Sequence, residues 1–149
     1  IMRWRNQYTQ LIGTTIHELV KFCITHRIKL NKSDKHLIDV KLQEAFIPKK
    51  AYDSENYIDL VAAYVNDAIG FRMTPEVVLF YSKNCFGTTD TINYDEKTHV
   101  LRIHDLKTGL KPASFDQLIV YAALFYLEYK IKPSENQTIL RILQSYSFR

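Results

Sequence analysis

Apolar residues recur every three or four positions over the first seventy residues, and every second position over much of the remaining chain. Between Thr14 and Ile28, a stripe of Ile16, Leu19, Val20, Cys23 and Ile24 predicts a first helix. Thr15-Ile16-His17-Glu18 reads as its capping box, which makes Thr15 the cap and Glu18 a capping residue rather than a ligand. A second helix is predicted from Ser33 or Asp34 to Phe46, with Ile38, Leu42, Ala45 and Phe46 inward and Pro48 as its stop. The third starts at Asp53 or Ser54. Its stripe of Tyr57, Leu60, Val61, Tyr64, Val65 and Ala68 is the cleanest helical signal, and Gly70 closes it.

The period then shortens. Glu76–Ser82, Phe86–Asn93 and Val100–Lys107 read as strands rich in β-branched and aromatic residues, the last two joined as a hairpin by the polar loop 93–98. A fourth helix is predicted from Ser114 to Tyr129, opened by the capping box Ser114-Phe115-Asp116-Gln117. Its inward stripe is Phe115, Leu118, Ile119, Ala122, Ala123 and Tyr126. Pro133 breaks it, and Thr138–Ser145 reads as a final strand. The order predicts a single mixed α/β (α+β) domain over 1–149, mostly helical over 1–72 and carrying its sheet in 73–149.

Composition changes this picture little. A chain of 149 residues, 46% hydrophobic and 24% charged, suits a globular domain with a real core. No run approaches the roughly 18 apolar residues of a membrane helix, and Arg3 and Arg5 are not followed by the apolar stretch of a secretory signal. The chain opens on Ile1, as a fragment or a chain lacking its leading residues would. A net charge of +4 leans toward a polyanionic partner. Two cysteines, Cys23 and Cys85, are too few for a structural zinc site or an iron–sulfur cluster, and predict free thiols in a reducing compartment.

The chemistry gathers at the end of one strand. Side chains alternate, so Leu101, Ile103, Asp105 and Lys107 share a face that begins apolar and ends charged. Phe86, Thr88, Asp90 and Ile92 share a face of the preceding strand. Where those faces coincide, two carboxylates and an ammonium converge. Such carboxylates repel, and Mg²⁺ or Mn²⁺ between them relieves it. The alternative is a plain Asp105–Lys107 surface ion pair. Gly13, Gly87 and Gly109 flank these polar residues, where a bend or close approach would help. His104 falls on the opposite face from Asp105. His99, His26 and His36 have no partner at ligand spacing. Trp4 reads as a helix-packing residue, with base stacking the alternative. The lysines at 29, 32, 35, 49, 50, 130 and 132 read as solvated surface or phosphate contacts.

"GTTD" (87–90), "HDLKTG" (104–109), "QLIVYAAL" (117–124) and the earlier "GTTIHE" (13–18) together resemble the PD-(D/E)XK nuclease superfamily, in its RecB-like and phage-exonuclease branch. The resemblance covers about Gly13 to Tyr129. It implies a restriction-endonuclease-like core: a central mixed sheet of about four strands flanked by helices, with a helical N-terminal part. It makes Asp90 the first acid, Asp105 and Lys107 the D-x-K pair, Gln117 and Tyr121 the Q-x-x-x-Y helix, and His17 the early histidine. The implied metal ligands are His17, Asp90, Asp105 and the Leu106 carbonyl, holding Mg²⁺ or Mn²⁺. Lys107 is implied to orient the attacking water. Gln117 and Tyr121, read as lying off the inward stripe, are implied to touch substrate, with helix-flank packing the alternative for Tyr121. An acid often stands where Glu76 does; its role is left open.

The implied activity is metal-dependent hydrolysis of DNA phosphodiesters, more exonuclease than endonuclease, in recombination, repair or degradation. The setting is cytoplasmic, phage-encoded proteins included, with no membrane partner and with room for a homo-oligomer or a recombination partner protein. The rivals are a structure-specific endonuclease with the same site and a non-catalytic nucleic-acid-binding module on the same fold.

Overall fold

A computed structural model describes the backbone of residues 2–144 and the side chains of residues 7–144. The Trp4 side chain and Ser145, the end of the last predicted strand, lie outside them. Helix α1 runs from Met2 to Thr25, so it begins well before the predicted cap. Thr15 lies inside it and donates its hydroxyl to the Leu11 carbonyl at 2.8 Å. Buried Ile12 carries the apolar stripe back through Gly13. A glycine inside a helix costs about 1 kcal/mol against alanine. Here it allows close approach, since a Cβ on Gly13 would lie 3.0 Å from Thr108 Oγ1.

A 3-10 turn at Lys32–Asp34, boxed by Asn31 and Asp34, leads into α2, Lys35–Glu44. Ile38 and Leu42 are buried as predicted, but Phe46 is not. The helix stops at Glu44, and a left-handed φ of 60° turns Phe46 outward to 91% exposure, while Ile47 fills the core instead. Helix α3, Ser54–Gly70, is capped by Asp53, which accepts the Glu55 N–H at 3.0 Å. Val61, Tyr64, Val65 and Ala68 are buried as the stripe predicts, and Ile58 joins them. Arg72, with φ 56°, makes the turn out of it.

Five strands stand where three are predicted: β1 Thr74–Pro75 lies before them, β2 Val78–Ser82 shortens the first, β3 Cys85–Thr88 and β4 Thr91–Asp95 divide the second, and β5 Val100–Lys107 has the predicted bounds. The chain then forms helix α4, Asp116–Glu128, and strand β6, Gln137–Gln144. The main sheet is mixed, in order β1-β4-β5-β6, with β5 and β6 parallel across the α4 connection and the other pairs antiparallel. Strands β2 and β3 form a separate antiparallel ribbon. The two systems part at Glu76, whose φ is 52°, and at the unpaired step Thr89–Asp90. There the Glu76 N–H donates to the Asp90 carbonyl and the Thr89 N–H to the Val77 carbonyl, both at 2.9 Å.

Each face of the main sheet has its own core. On one face, Leu106 and Leu143 join α1, α2 and α3; on the other, Leu101, Ile103 and Ile92 join α4 and Leu79 of the ribbon. Burying each large side chain here is worth about 1.5–3 kcal/mol. The alternation predicted for β5 therefore holds. Helix α4 departs from its predicted stripe: Leu118, Tyr121, Ala122, Leu124, Phe125 and Tyr126 are buried, while Phe115, Ile119 and Ala123 face outward. Among the described residues, no helix is long and apolar enough to cross a membrane.

Candidate active site

The charged end of β5 lies where α1, α4 and the step between β3 and β4 meet. Strand β5 carries Asp105 toward the α4 side, and Asp105 is 5% exposed. Asp90 reaches the same point from the unpaired step, outside any strand. The step frees its carboxylate to accept the Leu106 backbone N–H at 2.8 Å. The two carboxyls stand close enough for each to act on the other. Burial, followed by the charge and hydrogen bond of Asp90, pushes the Asp105 carboxyl up to about 6, with Lys107 pulling the other way. Burial acts upward on Asp90 too, but hydrogen bonds with His17, Asp105 and the Leu106 N–H outweigh it and hold that carboxyl below its ordinary value.

Lys107, two residues on, places Nζ 3.1 Å from Asp105 Oδ2. The pair is asymmetric, the lysine side chain 38% exposed and the aspartate 7%. It is therefore not the plain surface pair that the sequence also allows.

His17 enters from α1. Its Nδ1 stands 2.7 Å from the Gly13 carbonyl, and its Nε2 3.0 Å from the Leu106 carbonyl and 3.4 Å from Asp90 Oδ2. Both nitrogens thus face oxygen acceptors. The hydrogen bond to Asp90, opposed by burial, pushes the imidazole up to about 9. In this arrangement His17 is a two-way donor bridging α1, β5 and Asp90. It presents a free lone pair only after losing a proton.

The Q-x-x-x-Y pair divides. Tyr121 is buried in the α4 core rather than off it, its ring lying over Gly87 so closely that a Cβ there would come within 2.5 Å of Cε1. Burial raises the Tyr121 hydroxyl pKa, and the charges of Asp105 and Asp90 raise it further. Gln117 is exposed. It lines an open cleft of about 680 Å³ with Lys107, Lys111, Ser114 and Gln144. Of the flanking glycines, Gly13 and Gly87 sit at close approaches; nothing crowds Gly109.

Two neighbours, Tyr64 and Lys21, are not legible as site residues from the sequence, and Glu76, whose role it leaves open, joins them. Tyr64 lies buried beneath the site, its hydroxyl 2.9 Å from Thr91 Oγ1, and its pKa is raised by burial first and then by Asp90, Asp105 and Glu76. Glu76 pairs with Lys21 at 2.8 Å, while its N–H holds the Asp90 carbonyl. Lys21 lies four residues after His17 on α1, and that spacing is the available signal. His104 lies on the opposite face, as alternation requires. It is fully buried, neither ring nitrogen has a hydrogen-bond partner, and burial pushes its pKa down to about 4.

Among the described residues, no three His, Cys, Asp or Glu side chains stand grouped as a ready metal cage. The donor set nevertheless suits a hard divalent cation. A buried carboxyl, Asp105, and a half-buried one, Asp90, crowd together, and even with Lys107 and His17 beside them the Asp105 carboxyl stays raised; the Leu106 carbonyl lies alongside. Compared with protein-family models, with curated proteins and with solved structures, the chain finds no match in any of the three.

Proposed function

We propose that the chain is a divalent-metal-dependent deoxyribonuclease of the PD-(D/E)XK type, built on a restriction-endonuclease-like core and acting as an exonuclease. The observation that carries this reading is the crowding of Asp90 against Asp105 at the end of β5, with Lys107 two residues beyond. A satisfied ion pair lowers a carboxyl, yet burial and the neighbouring Asp90 push Asp105 up to about 6 in spite of Lys107, and perturbation of this kind concentrates at functional sites.

Asp90, Asp105 and the Leu106 carbonyl would hold Mg²⁺ or Mn²⁺, with His17 as a further ligand once deprotonated. The cation supplies Lewis acidity toward the phosphate oxygens and lowers the pKa of the attacking water. Lys107, half-exposed at the mouth of the cleft, orients that water and offsets charge building on the phosphodiester. Asp105 fixes the Lys107 ammonium, and the Asp90–Leu106 hydrogen bond fixes the first acid against β5. Gln117, from the cleft, would contact the strand being cut. Water adds to phosphorus and the bond to the 3′ oxygen breaks, its electron pair leaving on that oxygen, which yields a 5′-phosphate and a 3′-hydroxyl. The reading puts the protein in the cytoplasm, where Cys23 and Cys85 stay thiols.

The test is cleavage of end-labelled linear DNA and of covalently closed circular DNA in Mg²⁺, Mn²⁺ or EDTA, beside Lys107→Ala. Metal-dependent loss of the linear substrate alone, abolished by the substitution, is the expected result. Cutting of the circle reassigns the site to an endonuclease. DNA binding without cleavage in either metal leaves a binding module.

A further inference from the structure

The β2–β3 ribbon leaves aromatic rings in the open. Leu79 and Gly87 form a cross-strand pair facing α4, so the next pair, Phe80 and Phe86, faces away from it. The two rings lie 27° from parallel with centroids 6.4 Å apart, and the residues are 49% and 61% exposed. Val78, on the same outer face, is 56% exposed. Such a surface wants a partner.

Two features argue against a second copy pairing with the ribbon edge to edge. The register slips between Phe80 and Ser82, which distorts the edge. The Phe80 N–H is also already taken by Glu128 Oε1 at 2.9 Å. The edge is closed while the face stays open. Three others favour a nucleic-acid strand. Flat rings in a row offer the sequence-tolerant contact that nucleobases take. The chain carries a net charge of +4, with Lys83 at the ribbon's tip. And β3 runs directly into the candidate site, Phe86 preceding Asp90 by four residues, about 13 Å of extended chain.

We infer that Phe80 and Phe86 form a stacking platform for unpaired bases of a DNA strand whose backbone leads to Asp90 and Asp105. This rests on the nuclease reading for its direction, and it names the preferred substrate as a single-stranded or frayed end. Gly87 is the structural counterpart: without a side chain, it lets the Tyr121 ring of α4 pack directly on the ribbon's inner face.

The experiment is equilibrium binding in EDTA, where cleavage plays no part. The probes are a labelled oligothymidylate, an abasic strand of equal length and a blunt duplex. The wild type should bind the base-bearing strand roughly tenfold or more tighter than the abasic one. Phe80→Leu with Phe86→Leu keeps the apolar volume and should abolish that ratio while leaving abasic binding unchanged. Phe86→Tyr should keep it. Equal affinity for both strands, or a ratio that survives the double substitution, overturns the inference. So does a concentration-dependent dimer dissolved by the same substitutions, which would give the face to a second copy. A base-dependent ratio in a protein that never cleaves upholds the platform and removes only the nuclease.

Discussion

The buried Asp105 carboxyl crowds the half-buried one of Asp90, the first held by Lys107 Nζ at 3.1 Å and the second by His17 Nε2 at 3.4 Å. Like charges this close oppose folding unless something neutralises them. Asp105→Asn removes one charge and keeps a hydrogen-bonding group of the same shape. Its ion pair with Lys107 is outweighed by burial and the charge of Asp90, as the raised Asp105 carboxyl shows. The variant should therefore be more stable than wild type in EDTA, by about 1 kcal/mol. Mn²⁺ should raise the melting temperature of wild type and not that of the variant. Thermal unfolding with and without Mn²⁺ reads both. A fall in stability in EDTA would sink the claim that burial and Asp90 outweigh Lys107 at Asp105.

A methyl group at Gly87 would sit 2.5 Å from Tyr121 Cε1. The tyrosine is buried and cannot swing away without disturbing Leu118 and Phe125, its neighbours in the same core. Gly87→Ala should cost about 1–3 kcal/mol by overpacking. The cost should shrink in a Tyr121→Ala background, where the ring is gone. Additive losses in the double variant would show that the two residues do not meet.

How much of the site is legible in the sequence depends on its periods. Asp105 and Lys107 share a face because strands alternate strictly, and nothing in the fold overrides that. The region around Asp90 is different. Strand-like composition runs unbroken from Phe86 to Asn93, yet the chain leaves the ribbon and enters the main sheet at Thr89–Asp90. That step is matched by the left-handed backbone of Glu76, a non-glycine residue that carries no sequence signal for it. Tyr121 reads as off the inward stripe, and is not, because α4 is apolar on nearly every side from Leu118 to Leu127, so a 3.6-residue period cannot choose its inward face. Thr15 reads as a cap because Thr15-Ile16-His17-Glu18 has the spacing of a capping box, yet the helix runs on through Gly13. The contact with Thr108 that makes glycine useful inside the helix is nearly a hundred residues away in sequence.

Asp95 closes the β4–β5 hairpin, accepting the Lys97 and Thr98 N–H groups at 2.9 and 3.2 Å. Those bonds, Thr98 first, favour its ionised form and hold the carboxyl below the usual range. A carboxyl depressed in the folded state stabilises above its unfolded pKa, and that stabilisation is lost as pH falls through the folded value. Wild type should therefore melt above Asp95→Ala at neutral pH, with the gap narrowing on acidification below about pH 4. Melting curves of both proteins across that range check it. A gap independent of pH would mean that Asp95 acts through its shape and not its charge.

His104 is the last polar group whose position calls for a test. It is fully buried on the α3 side of β5, with Phe71 edge-on to it at 6.0 Å between ring centroids. Neither nitrogen has a hydrogen-bond partner. Burial, with Arg102 and Arg141 adding to it, keeps the ring neutral at pH 7. A buried polar group left unpaired costs about 1–3 kcal/mol, whereas an apolar side chain of similar size carries no such penalty. His104→Leu should therefore stabilise the protein by about 1 kcal/mol, after some loss of contact with Phe71. His104→Asn, which keeps polar atoms in a smaller volume, should destabilise it. Chemical denaturation at pH 7 orders the three proteins. A leucine variant less stable than wild type would mean that the imidazole has a hydrogen-bonding partner in solution, an ordered water among them.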